Sequence, residues 1–226
     1  MDFILTETEF NKENIAWNGN RFLIGNGYFG IRGTLEEYTK KQMCAVNMAG
    51  IYDRVRDSWR ESVNAPNPIY TYVKVNGKAY TLPDEKPKFH QQELDFRYGI
   101  HCRVTRWKTE HGDITVICER FASIARQHNI AMKYTFSADF DCEAEIITGI
   151  DGDVWDINGP HFVKMQMGSK DGIAYVTGIT GEKNISVTAK ECIRTDFQSE
   201  QTNQNTDKPD LTSTTMLRLI LDYAGS

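Results

Sequence analysis

No stretch of the 226-residue chain approaches the roughly 20 consecutive apolar residues that span a bilayer. The first residues, Met1-Asp2-Phe3-Ile4-Leu5, carry an acid where a secretory leader carries Lys or Arg, so a cytoplasmic location is expected. Positive charge is also short. Lys and Arg number 26 against 31 Asp and Glu, a net charge of −5, without the basic footprint that nucleic acid or an anionic membrane demands. Cysteine is sparse: five residues, at 44, 102, 118, 142 and 192, an odd count with no Cys-x-x-Cys. Reduced, buried thiols are expected, with Cys102 and Cys118 on the apolar phase of their segments. The five His are scattered without ligand spacing, so no metal centre is predicted. Gly-x-Ser-x-Gly and His-Glu-x-x-His are both missing. Helical periodicity is scarce as well, and only 8–18 and 34–42 are read as short helices.

What the sequence does have is period two. Ile69 to Val75 is β-branched and aromatic, followed by Asn76-Gly77 and Lys78 to Leu82. Asn-Gly accepts the positive φ angles of a type I′ turn, so this is a hairpin. In the next pair Ile100, Cys102 and Val104 alternate with His101, Arg103 and Thr105. After His111-Gly112, Ile114, Val116 and Cys118 alternate with Thr115, Ile117 and Glu119. The apolar phases are expected to face a core. Further strands are predicted at 130–138, 143–150, 161–168, 173–180, 184–193 and 214–223. Many short strands with turn punctuation argue for a sandwich or barrel. Residues 198–213 hold Leu211 as their one large apolar side chain, and are read as a solvated, partly mobile loop. The last strand runs almost to Ala224-Gly225-Ser226 with no closing element, as expected of a piece of something longer.

Three motifs invite function. Gly25-Asn26-Gly27-Tyr28-Phe29-Gly30 is a literal G-x-G-x-x-G, with Asp53 some way downstream. A dinucleotide site needs a helix opening at those glycines, yet the polar Thr34 to Lys41 follows, and no β-α alternation continues. A structural glycine-rich bend is the expected reading, with Gly25, Asn26, Gly27, Gly30, Arg32 and Gly33 as its residues. Asp151 to Gly159 is acidic, but Trp155, Asp156 and Phe162 fall where a calcium loop wants an oxygen donor, Gly and Glu, leaving a turn. Arg54 to Pro68 has one Trp, three Arg and two Pro without helix or strand period, and is read as a long loop suited to sugar or partner contact.

Phe22-Leu23-Ile24-Gly25-Asn26-Gly27-Tyr28-Phe29-Gly30-Ile31-Arg32-Gly33-Thr34-Leu35-Glu36-Glu37 resembles the opening signature of glycoside hydrolase family 65, which includes maltose, trehalose, kojibiose and nigerose phosphorylases and some hydrolases. The resemblance continues through Ala49 to Asp53, Val63 to Asn67, Val75 to Lys78 and Gly149 to Val154. It implies an all-β fold: an antiparallel β-supersandwich, galactose mutarotase-like, with one or two short helices, filling 1–226 as a single amino-terminal domain. The catalytic (α/α)6 barrel, with the general acid and phosphate-binding residues, lies outside it. No catalytic residue is therefore assigned here. Inorganic phosphate would be the co-substrate of the parent if a phosphorylase; no other cofactor is implied. The implied partners are the enzyme's own barrel, a disaccharide and a second subunit.

Within this domain the substrate or interdomain contact candidates are Tyr52, Trp59, Asn64 and Asn67, in the loop at 43–68. A competing class is a free-standing carbohydrate-binding module or an aldose-1-epimerase-like protein. Mutarotation pairs a general base with an acid, and His101 and Glu119, on the polar faces of one predicted hairpin, are the candidates.

Overall fold

The computed structural model describes residues 3–196, 200–205 and 212–221. Its strands are, first, β1 (Ile4–Glu7), β2 (Ile24–Gly25), β3 (Phe29–Ile31), β4 (Val46–Asp53), β5 (Glu61–Asn64) and β6 (Asn67–Val75). Next come β7 (Lys78–Tyr80), β8 (Phe89–Asp95), β9 (Ile100–Lys108), β10 (Asp113–Ala122), β11 (Ile130–Ala138) and β12 (Cys142–Asp151). Then follow β13 (Phe162–Lys170), β14 (Ile173–Thr180), β15 (Ser186–Cys192), β16 (Glu200–Asn205) and β17 (Thr212–Leu221). Among the described residues the α-helix is α1 (Ile15–Arg21), preceded by a 3₁₀ turn at Lys12–Asn14 whose Asn11 side chain accepts from Glu13 N. The fold is all-β and its resolved strand pairings are antiparallel.

The chain divides into two compact units. One comprises residues 1–33, 73–145 and 219–226, the other 34–72 and 146–218. The first is built on a five-stranded sheet ordered β1-β8-β9-β10-β11. Hairpin β2–β3 and the pairing of Val73–Val75 with β7 belong to it too. The Asn76-Gly77 turn has φ of 49° and 80°, as a type I′ turn requires.

β9 carries a reversal. Its buried side chains are His101, Arg103, Thr105 and Trp107, while Ile100, Cys102 and Val104 are half-exposed. The expected core face is thus the outer one. Period two ties every side chain of a strand to one choice of face, and Trp107 is in phase with the polar residues. Its indole is 1% exposed and donates to Glu85 O at 3.2 Å. The polar residues buried with it find partners. Thr105 Oγ1 lies 2.9 Å from both His90 Nδ1 and Arg103 Nη1, and His101 Nε2 lies 3.3 Å from Gln92 Oε1. On β10 the expected phase holds: Ile114, Val116 and Cys118 are fully buried.

The second unit holds the sheet β13-β14-β15, the pair β4–β5, and the pairing of β16 with β17. The Arg54 to Pro68 segment, expected to be loop, is loop to Arg60 and then carries β5 at Glu61–Asn64 and the start of β6 at Asn67. Asn47 pairs with Asn64, and Asp53 with Glu61, across a register shift. That irregularity is why no clean alternation marks β4 in the sequence. The loop shrinks to the residues between Asp53 and Glu61. At 34–42 only the last residues turn, as a 3₁₀ element at Lys40–Gln42 capped by Thr39. Residues 200–205 of the expected 198–213 loop are strand; the rest of that segment, apart from Thr212 and Ser213 in β17, lies outside the described residues. None of the five cysteines is in a disulfide: Cys44, Cys118 and Cys142 are buried, Cys102 is half-exposed and Cys192 exposed.

Candidate functional site

The glycine-rich motif is a hairpin, with Ile24 opposite Ile31 and Gly25 opposite Gly30. No helix opens at it, so the arrangement that holds a pyrophosphate is not formed. Asn26 is its clip. Its Oδ1 accepts from Tyr28 N and Phe29 N, and its Nδ2 donates to Ser123 O (2.7 Å) and Gln127 O (3.0 Å). Gly27 follows at φ 86°, a conformation L side chains rarely adopt. Gly33 is required for a different reason: a Cβ there would lie 2.5 Å from the backbone carbon of Phe22. Gly30 has neither constraint. Arg32 locks α1 by donating to Ala16 O at 2.7 Å and Asn20 Oδ1 at 3.3 Å.

His101 and Glu119 do not meet. Arg120 is the cross-strand partner of His101, while Glu119 sits opposite Cys102 on the outer face. A general acid–base pair needs both groups at one substrate, and these two side chains lie on opposite faces of the sheet.

In the second unit, Tyr52 and Trp59 are 51% and 59% exposed. Asn64 and Asn67 are buried instead. Asn64 donates through Nδ2 to Trp155 O and through its backbone N–H to Asp156 Oδ1, and accepts from Asn47 Nδ2. Asn67 Oδ1 accepts from Ile69 N, while its Nδ2 is buried without a hydrogen-bond partner.

The most concentrated chemistry is one that spacing did not reveal. His161 is fully buried, with Nδ1 3.3 Å from Asp53 Oδ2 and Nε2 2.8 Å from Glu61 Oε1. Each ring nitrogen thus faces one carboxyl oxygen, with donor and acceptor roles set by the tautomer. The remaining oxygens are partly used. Asp53 Oδ1 accepts from Glu182 N, and Glu61 Oε1 also accepts from Asn158 N. Nearby, burial pushes the Asp156 carboxyl above its usual range although it accepts from the backbone of Asn64 and His161. Glu182 is held below its usual range by the hydrogen bonds of Arg60, Nε to Oε2 at 2.9 Å. With Arg54 also at 3.6 Å, this network pins four chain segments together.

A separate carboxyl stands on β15. Glu191 Oε1 accepts from Thr148 Oγ1 at 2.7 Å, and Thr148 Oγ1 lies 2.8 Å from Thr71 Oγ1. Glu191 Oε2 is buried without a hydrogen-bond partner, and burial pushes the group up to about 7.

Residues 5–220 match the family described as glycosyl hydrolase family 65, N-terminal domain. The chain belongs to this family. It is 51% identical over 166 residues to the nigerose phosphorylase of Lachnoclostridium phytofermentans, covering 74% of this chain and 22% of the relative. It is 35% identical over 191 residues to the 1,2-alpha-glucosylglycerol phosphorylase of Bacillus selenitireducens, covering 84% and 25%. A kojibiose phosphorylase of Halothermothrix orenii is 30% identical over 190 residues, covering 81% and 24%. A solved structure described as a proposed kojibiose phosphorylase from the human microbiome superposes with a TM-score of 0.84 at 19% identity, covering 99% of this chain and 31% of that one. The all-β sandwich expected from the family resemblance is the fold observed. This family 65 domain spans about a quarter of the length of the curated relatives it matches.

Proposed function

We propose that this chain is the non-catalytic amino-terminal domain of a family 65 phosphorylase acting on α-linked glucosyl disaccharides. The observation that carries the reading is the match of residues 5–220 to the family's N-terminal domain, together with relatives that are themselves phosphorylases. In an inverting phosphorolysis one carboxylic acid protonates the glycosidic oxygen while phosphate attacks the anomeric carbon, where an inverting hydrolase would use water. Those groups would belong to a catalytic barrel elsewhere in the whole protein. Four acids of the second unit are engaged within the domain. Asp53 and Glu61 hold His161, Glu182 holds two arginines, and Asp156 accepts from backbone.

Its work is to support the barrel and the assembly of subunits, with Tyr52 and Trp59 as exposed contacts toward barrel or sugar. Phosphate is the only co-substrate in this reading, and a cytoplasmic setting suits it. The test is phosphorolysis of nigerose, kojibiose and trehalose by the whole protein, read as glucose 1-phosphate release that depends on phosphate. Release of glucose alone, at the same rate without phosphate, would make the parent a hydrolase.

A further inference from the structure

The tip of the β4–β5 hairpin is tied down at its base. Asp53 and Glu61 form the last cross-strand pair, and both face His161 inside the unit. Arg54 and Arg60, the next residue on each side, both reach Glu182. Arg60 donates to it through Nε at 2.9 Å, while Arg54 stands off at 3.6 Å. Beyond them Ser58 N donates to Val55 O at 3.1 Å, and Ser58 Oγ donates to the same oxygen at 2.6 Å, closing a four-residue turn. Its second residue, Arg56, has φ of 53°, at a turn position usually filled by Gly, Asn or Asp. Asn76, Asp171 and Asn184 share that left-handed region and are of the types that tolerate it. An arginine gains nothing from this backbone, so strain kept at an exposed turn points to a use for the side chain.

The same tip carries surplus positive charge. Arg54, Arg56, Arg60 and Lys183 stand against Asp57 and Glu182, in a chain whose net charge is −5. Arg56 is exposed, and among the described residues it makes no ion pair and no side-chain hydrogen bond. Trp59, three residues on, is 59% exposed. We propose that this tip binds a hexose phosphate, with the pyranose ring on the face of Trp59 and the phosphate on the guanidiniums of Arg56 and Arg54.

A guanidinium meets phosphate through two parallel hydrogen bonds, which an ammonium cannot copy. An indole offers a wide apolar face beside those charges, the mixture of apolar wall and few polar anchors that small ligands need. Packing the tip against protein instead would desolvate Arg56 without a counter-charge, which is strongly unfavourable. The choice of ligand rests on the functional reading above, since phosphorolysis of a glucosyl disaccharide releases glucose 1-phosphate. The site would hold that product on the supporting domain. Its contacts are charged and exposed, so affinity should fall as salt rises.

The experiment is equilibrium dialysis of the whole enzyme against labelled glucose 1-phosphate, inorganic phosphate and AMP, without acceptor sugar, with phosphorolysis assayed separately. Arg56→Gln should weaken glucose 1-phosphate at one site per subunit by at least about tenfold. Trp59→Ala should bring glucose 1-phosphate at that site down to the affinity of inorganic phosphate. Arg56→Gly separates ligand from structure: glycine takes a positive φ freely, so this variant should melt within about 2 °C of the parent or higher, yet lose the same site. Unchanged binding in Arg56→Gln, equal affinity of the parent's Arg56-dependent site for glucose 1-phosphate and inorganic phosphate, or tighter binding of AMP there would each overturn the proposal. An Arg56→Gly variant melting more than about 5 °C lower would mean that the side chain serves packing, and also overturns it. So would a Trp59 already shielded from oxidation in the ligand-free enzyme, because the barrel would then cover the tip. Failure here with phosphate-dependent activity intact would leave the functional reading standing. An Arg56-dependent site in a parent that proves to be a hydrolase would do the reverse.

Discussion

At the scale of single residues, glycine shows how little a motif says until the backbone is known. Gly33 and Gly30 belong to one signature, yet only Gly33 abuts Phe22. Gly33→Ala is expected to lower the unfolding free energy by about 3 kcal/mol or more through forced backbone movement, whereas Gly30→Ala is expected to leave it unchanged or raise it by up to about 1 kcal/mol. Urea unfolding of the pair distinguishes them, and equal losses would mean that the motif is constrained by something other than close approach. Glu191 gives a second residue-scale outcome. Its folded-state value, raised from 4.5 to about 7, means the native state favours the protonated form. That stability is fully present below pH 4.5 and is lost as the pH rises through 7. Glu191→Gln keeps a neutral side chain at every pH. It should be more stable than the parent at pH 8, by on the order of 2–3 kcal/mol, with the difference fading toward pH 4. A variant less stable at pH 8 would show that the ionised carboxylate is held by a partner.

At the scale of elements, the regular hairpins were legible and the irregular ones were not. The strand over 130–138 and the Asn76-Gly77 turn stand where alternation and turn chemistry put them. β4 and β5 were hidden by a register shift, and β16 by a polar composition that its pairing with β17 overrides. The facing of β9 was half legible. Trp107 shares the phase of His101, Arg103 and Thr105, and its bulk outweighs the short apolar run that pointed the other way. The reversal predicts contrasting thiols on neighbouring strands. Cys118→Ser should cost about 2 kcal/mol by placing a more polar group at a fully buried site, and Cys102→Ser under about 0.5 kcal/mol. In the native protein a thiol reagent should modify Cys192 first and leave Cys118 for last. Prompt modification of Cys118 would contradict the register. The His161 cluster was not legible at all, since its members come from positions 53, 61 and 161 and no local pattern links them. Replacing His161 by Ala removes the ring that the buried carboxyls of Asp53 and Glu61 both face, and is expected to destabilise the chain by about 2–4 kcal/mol. The loss should appear first as faster hydrogen exchange across residues 152–161 and 181–182, which the cluster ties down.

At the scale of the whole molecule, the family resemblance ran through five stretches between Phe22 and Val154, and in the first of them Asn26, Gly27 and Gly33 each answer to a local backbone demand. The substrate did not follow, since relatives named for nigerose, kojibiose and glucosylglycerol match the same region. A scaffold shared by enzymes of different substrates carries its information in packing, while specificity is written where the sugar sits. The division of labour is tested most directly by assaying residues 1–226 alone beside the whole enzyme, on nigerose, kojibiose and trehalose with phosphate. The isolated chain is expected to release no glucose 1-phosphate above the enzyme-free rate, while the whole enzyme does. Release by the isolated chain that disappears on a single substitution within it would contradict the assignment.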